Sequence, residues 1–250
     1  LAFQHFKLSP PNTVHYNGLA NCRTWFKNPD FVMILRNSVV YVVASVLGQF
    51  LLGLTLALAL WKKFPGRNLY QAVVFLPWAF SAFVVGLLFR WSFNGEYGVV
   101  NDLLLKLGVV NERIAWLVDP DLSLWVVIFA MIWLGIPFFA IMILAAFQSI
   151  PKDILESAEI DAFGPINCFF RITLPYIKPT IIMTLLLRTI WIFNSFHFIV
   201  IITGGGPASS SQPLPSSMSQ QAFSSYAFGL ASAPGVVLTA TLYPFAVFCL

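Results

Sequence analysis

The chain has 250 residues, of which 58% are hydrophobic, 16% aromatic and only 10% charged, against roughly 25% charged in soluble domains, which argues against a soluble protein and for a bilayer one. Its net charge of +4 comes from 14 basic residues spread along the chain with no block of five or six, so they read as topology signals and not as a nucleic-acid surface. Three cysteines (Cys22, Cys168, Cys249) and three histidines (His5, His15, His197) lie too far apart for a disulfide framework, a metal site or a catalytic centre.

Residues 1–30 lack a basic start followed by an apolar core, so no signal peptide is read. A chain that opens at Leu1 and closes inside an apolar run is expected to be part of a longer product. A hydrocarbon core about 30 Å thick takes about 20 helical residues. Four windows meet that length. Residues 37–61 are uncharged and stop at Lys62 and Lys63; residues 69–89 lie between Arg67 and Arg90; residues 122–147 are again uncharged; residues 180–202 contain Arg188 and His197. A fifth window, 230–250, is interrupted by Pro234, Gly235 and Pro244. The expectation is an all-α polytopic membrane protein with five transmembrane helices in one domain over residues 1–250.

Orientation follows Lys and Arg in short loops. Residues 62–68 hold three basic residues and no acid, which makes this turn cytoplasmic. Residues 204–229 carry no charge and are rich in Gly, Pro and Ser, which makes them an external loop. Lys7, Arg23, Lys27 and Arg36 precede the first window and count the other way, but density in the shortest loop decides. Alternation then puts residues 90–121 outside and 148–179 inside.

The inner loop 148–179 is long for a helix connection, and four of the chain's acids fall in it. Pro151 suits a first helical turn, and Gly164 followed by Pro165 suits a stop. Ile154, Leu155, Ala158 and Ala162 fall on one stripe, with Asp153, Glu156 and Asp161 away from it. Such a helix could lie on the membrane surface, but surface helices favour Lys and Arg on the polar face; an acidic face favours a protein partner.

The stretch from Glu156 to Pro175, "ESAEIDAFGPINCFFRITLP", resembles the motif of bacterial ABC importer permeases: Glu-Ala-Ala, three residues, Gly, nine residues, Ile, one residue, Leu-Pro. Glu156, Ser157 and Ala158 fill the first places, and Ile172, Leu174 and Pro175 the last. Ala162 stands where the family has glycine, with Phe163 after it and the Gly164-Pro165 break two residues later. The resemblance implies a coupling helix at Glu156 to Gly164, including Asp161, seated on an ATP-binding subunit. The chain has no phosphate-binding Gly-x-x-x-x-Gly-Lys-Ser/Thr loop of its own, so the nucleotide belongs to partner subunits and no cofactor is expected here.

The stretches "FLPWAFSAFVVGLLFRWSFNGEYGVVNDLLLKLG", "IWLGIPFF" and "TIWIFNSFHFIVIITGGGP" look like the sugar-importing subclass, the maltose and glycerol-phosphate type. Carried over by position, the resemblance implies sugar contacts from Trp133, Leu134, Gly135 and Phe138 on one helix and from Arg188, Trp191 and Asn194 on another. Aromatic rings can stack on the C–H faces of a sugar, although in membrane helices they also serve packing or face lipid. An arginine near a helix centre costs about 2.5 to 3.5 kcal/mol on insertion scales. Arg188 therefore faces a cavity or a neighbouring subunit, or snorkels to the cytoplasmic end. Asn194 and His197 are read on one helical face.

The resemblance implies one half of a translocation path in the bacterial inner membrane, with a second permease subunit, two ATP-binding subunits and an external sugar-binding protein, and a family core of six helices. A secondary transporter or channel is the alternative. It would place coupling acids inside the spans, and all ten acids lie outside the windows. An embedded enzyme would need a nucleophile and base at depth, and only His197 is there.

Overall fold

The apolar windows become helices, though not always where hydropathy draws their ends. A computed structural model describes residues 1–6, 14–62, 64–160 and 164–249. The chain opens on a two-stranded antiparallel sheet of β1 (Gln4–Phe6) and β2 (Val14–Tyr16), paired Gln4 to Tyr16, His5 to His15 and Phe6 to Val14. Beyond this small ribbon the described elements are helices, and the molecule is mostly helical. Asn21, on α1 (Ala20–Phe26), fastens the sheet by donating to Ala2 O and Gln4 O at 2.9 and 2.8 Å.

Helix α2 (Phe31–Trp61) has 31 residues and no proline, and extends about 46 Å at 1.5 Å per residue. It ends where Lys62 turns extended and Gly66 takes a φ of +82°. Its polarity is inverted relative to a soluble helix. Asn37, Ser38, Tyr41, Ser45 and Gln49 are buried, while Val39, Val43, Leu47 and Leu51 are about half exposed. Exposed apolar groups beside buried polar ones suit a lipid surround, where polar groups find partners only inside the protein.

The second window is not one straight span. Helix α3 (Arg67–Phe75) continues into a 3-10 turn (Leu76–Ala79), and α4 (Ala82–Ser92) leaves at a bend of 92°. Pro77 cannot donate the amide that would continue the helix. Phe80 and Ser81 are extended, and Ser81 Oγ caps α4 by accepting from Val84 N at 3.3 Å. After α4 comes the short α5 (Val99–Lys106), held by the fully buried Asn101. Its side chain donates to Gly95 O and Ile114 O and accepts from Ile114 N and Trp116 Nε1.

Helix α6 (Ser123–Gln148) follows the third window closely and runs straight through Pro137. Helix α7 (Lys152–Ile160) is the predicted short helix of the inner loop. Helix α8 (Pro165–Cys168) passes through a π-helical turn, Phe169–Thr173, into α9 (Leu174–Phe193). The fourth window is therefore displaced: its helix begins at Pro165 and ends at Phe193, and α10 (His197–Ile202) is separate. Gly204 and Gly205, with φ of +68° and +87°, turn the chain towards α11 (Leu214–Phe223). Helix α12 (Phe228–Cys249) contains Pro234 and Pro244 without breaking, contrary to the interruption expected there.

Among the described residues α2, α6 and the continuous stretch Pro165–Phe193 are long and apolar enough to cross a membrane, and the bent pair makes a fourth candidate. Helices α2 and α6 form the most extensive contact. Gly53 permits it, because a Cβ there would meet Phe139 Cβ and the backbone of Ala140. Trp61 stacks on Phe147 with ring centroids 4.7 Å apart at the other end of the seam.

Candidate functional site

Helices α2, α6 and α9 meet around one buried cluster. Arg188 on α9 is only 7% exposed, and its Nε donates to Gln49 Oε1 on α2 at 2.6 Å. Gln49 is fully buried, and its Nε2 donates to Met131 O on α6 at 2.9 Å. Anchoring the amide nitrogen on α6 leaves the amide oxygen directed at the guanidinium. Gly135 makes this possible, since a Cβ there would overlap the Gln49 amide and come within 2.6 Å of Arg188 Nη2. The glycine makes room for side chains of the same protein. Arg188 also lies over the Phe138 ring, 5.6 Å from its centroid, within range of a cation–π contact. It does not snorkel. Gln49 is 12 residues from the end of α2, about 18 Å along the axis, which sets the pair deep in the span.

Phe138 is the centre of an aromatic row. Trp191 lies 5.3 Å from it on one side and Trp78 5.9 Å on another. Trp191 and Trp78 are 49% and 48% exposed, so each is covered in part and open in part beside Phe138. Trp78 reaches this place because it sits in the 3-10 turn after Pro77, at the bend of the second span. The structure thus brings together Gly135, Phe138, Arg188 and Trp191 from the predicted set. Trp133 is half-buried and turned to α4, with its ring 5.9 Å from Phe89. Leu134 packs on the core. Asn194 caps α9, donating to Ile190 O at 2.8 Å, and does not share a helical face with His197. That histidine begins α10 and pairs through Nε2 with Ser195 Oγ at 3.2 Å.

Two members of the cluster escape sequence reading. Gln49 follows Asn37, Tyr41 and Ser45 at four-residue intervals in a largely apolar helix, and that polar row on one face was the available signal. Trp78 follows a mid-window proline, the signal for a break that exposes its neighbours.

A second polar region links α2 to the segment after α10. Asn37 Nδ2 donates to Ser210 O at 2.8 Å and Ser209 O at 3.2 Å, and Ser38 Oγ accepts from Leu214 N at 2.8 Å. Segment 204–229, expected as a loop, is therefore pinned and partly helical. A cleft of about 1030 Å³ opens beside it, lined by Arg90, Trp91, Asn94, Tyr97, Arg113 and Thr203 among others. It includes none of the predicted contact residues.

At the inner loop, α7 divides by exposure as its stripe predicts. Ile154 and Leu155 pack on the core and Ala158 is 3% exposed, while Asp153, Glu156 and Ser157 are exposed. Ser157 Oγ donates to Asp153 O at 2.7 Å, which keeps its hydroxyl on the helix. Gly164 is exposed and extended, and caps α8. Asp161, Ala162 and Phe163 lie outside the described residues.

Lipid-suited helices with a polar seam inside them define a polytopic membrane protein of the transport type. The chain belongs to the family of binding-protein-dependent transport system inner membrane components, whose model matches residues 49–248. It is 35% identical over 239 residues to the sulfoquinovosyl glycerol transport system permease protein SmoG of Agrobacterium fabrum, covering 96% of this chain and 77% of that one. It is also 35% identical over 192 residues to the trehalose/maltose transport system permease protein MalF of Thermococcus litoralis, covering 77% and 63%. Among solved structures, a bacterial ABC transporter involved in the import of the acidic polysaccharide alginate aligns with a TM-score of 0.83 and 26% identity, covering 93% of this chain and 82% of that one. The MetNI methionine ABC transporter aligns at 0.61 and 16% identity over 89% and 95%, a likeness of fold alone. The chain is thus an ABC transporter permease and an inner-membrane component. None of these likenesses favours a carrier or channel without an ATPase partner.

Proposed function

We propose that this chain is one of two membrane subunits of an ATP-driven sugar importer and forms half of the sugar path. The observation that carries the reading is the cluster of Trp78, Phe138, Arg188 and Trp191 where the apolar helices meet. Half-exposed indoles offer stacking surface to the C–H faces of a pyranose, and guanidinium N–H groups offer donors to its hydroxyls. Relatives named for sulfoquinovosyl glycerol and trehalose/maltose, and a solved neighbour that imports alginate, support a carbohydrate cargo. Leu134 and Trp133 back the cluster on α6, and Asn194 fixes the end of α9 beside it.

In this reading the bent pair counts as one span and α12 as a fifth. Residues 148–179 form the cytoplasmic coupling loop of a single membrane domain, with Glu156 and Ser157 directed to an ATP-binding subunit and Ala158 holding α7 to its own chain. Asp161, Ala162, Phe163 and Gly164 would close that contact. The ATP sits on the two partner subunits, the chain itself does no chemistry, and an external binding protein delivers the sugar. A short helix packed on the ends of the spans can pass nucleotide-driven movement into them as rigid-body motion.

The test is sugar uptake by the reconstituted complex. Trp191→Ala is expected to lower uptake about tenfold, the scale of one lost stacking contact, while leaving the subunits associated. Unchanged uptake would assign Trp191 to packing.

A further inference from the structure

We infer that the cargo carries a negative charge, a carboxylate or sulfonate on the sugar, and that Arg188 is its receptor. The inference rests on the sugar-importer reading and narrows it.

Among the described residues Arg188 has no counter-charge. The acids of the chain fall at positions 30, 96–121 and 153–161, so none lies within α2, α3, α4, α6, α9 or α12. Among the described residues the only ion pair is Arg113 with Asp102, at 2.8 Å, and both are exposed. Tyr41, the titratable group that faces Arg188 from α2, and His197, which is bound to Ser195, bring no negative charge. A buried, uncompensated guanidinium is among the most costly groups a membrane helix can hold, and such charges are retained where something pairs with them.

The side chain is also built to receive. Of the five N–H groups of a guanidinium, the single one on Nε is used by Gln49. Neither Nη donates to a protein acceptor among the described residues. Gln49 cannot turn away, because its Nε2 is held by Met131 O, and Phe138 lies against the guanidinium. The result is a fixed planar fork with its terminal nitrogens free, the geometry that binds a carboxylate or sulfonate through two parallel hydrogen bonds. Trp191, one turn further along α9, is half exposed beside Phe138. A pyranose ring on the indole would bring a ring carboxylate or sulfonate towards the fork. Gln49 is then a positioning residue, since it sets the plane of Arg188.

The measurement is uptake by the complete complex, with both permease subunits, the ATP-binding subunits and the binding protein, in proteoliposomes. Two matched panels are compared, one of neutral mono- to pentasaccharides and one bearing uronic acids or sulfonates. Wild type is expected to move members of the acidic panel with a kcat/KM at least about tenfold above their neutral counterparts, the scale of a charge-assisted hydrogen bond. Arg188→Gln should erase that preference by raising KM for the acidic sugars at least about tenfold more than for the neutral ones. Gln49→Leu should erode it, and Arg188→Lys should restore only part of it. Neutral sugars moved as well as acidic ones by wild type would overturn the inference, whether or not Arg188→Gln assembles. So would an equal loss on both panels in Arg188→Gln, the result expected if Arg188 pairs with an acid of the second permease subunit. Uptake of no member of either panel would count against the sugar-importer reading itself, and the inference would fall with it.

Discussion

Gly135 occupies the tightest point of the cluster, because a Cβ there would meet both Gln49 and Arg188. Gly135→Ala is expected to cost about 1 to 3 kcal/mol, the range for overfilled cores, read as a lower melting temperature of the purified complex. A variant as stable as wild type would mean that Gln49 and Arg188 can separate freely. Arg188 was legible in the sequence as a charge inside an apolar run. Gln49 was not, because its meaning lies in a partner 139 positions away. The surroundings of Gly135 were not legible for the same reason: the space where a Cβ would stand is filled by Gln49 and Arg188 of the same protein. Asn194 shows the limit of periodicity, since a helix that ends at Phe193 removes the face it was to share with His197.

At the scale of elements, hydropathy located the apolar helices and misread what proline does to them. Pro137 in α6 and Pro234 in α12 are carried without a break, whereas Pro77 coincides with a 92° bend. The residues on the C-terminal side of each proline make the difference. Ser81 supplies a cap that starts a new helix, while α6 continues through apolar residues packed on α2. Neighbouring helices can support a proline in a span, and that support is invisible in a single window. The Gly, Pro and Ser content of segment 204–229 points to a loop, yet α11 forms, Asn37 binds the chain before it and Ser38 binds its first residue. For α7 the apolar stripe was legible and its direction is as predicted, with Ile154 and Leu155 inward and Glu156 outward. In the coupling role proposed for α7, Glu156→Lys should lower ATP-driven uptake at least about fivefold, the lower end of coupling energies between sites. The ATPase activity of the complex would persist. Equal uptake in mutant and wild type would remove the coupling role from this helix face.

The whole molecule has the polarity of a protein in lipid. Large apolar side chains such as Leu47, Leu51, Leu88 and Phe129 are about half exposed, and Asn37, Tyr41, Ser45 and Gln49 of α2 turn inward, where Gln49 meets Arg188. That arrangement accords with the apolar composition, and the fold match over 93% of the chain to an ABC importer agrees with it. This permease is expected to move sugar only when coupled to ATP hydrolysis on partner subunits. The direct test is to purify the chain with its neighbouring gene products and measure sugar uptake in proteoliposomes with and without internal ATP. An ATP-binding subunit is expected to co-purify, and uptake to require ATP and the binding protein together. Uptake that proceeds without the ATP-binding subunit, driven by an ion gradient or by the sugar's own gradient, would contradict it.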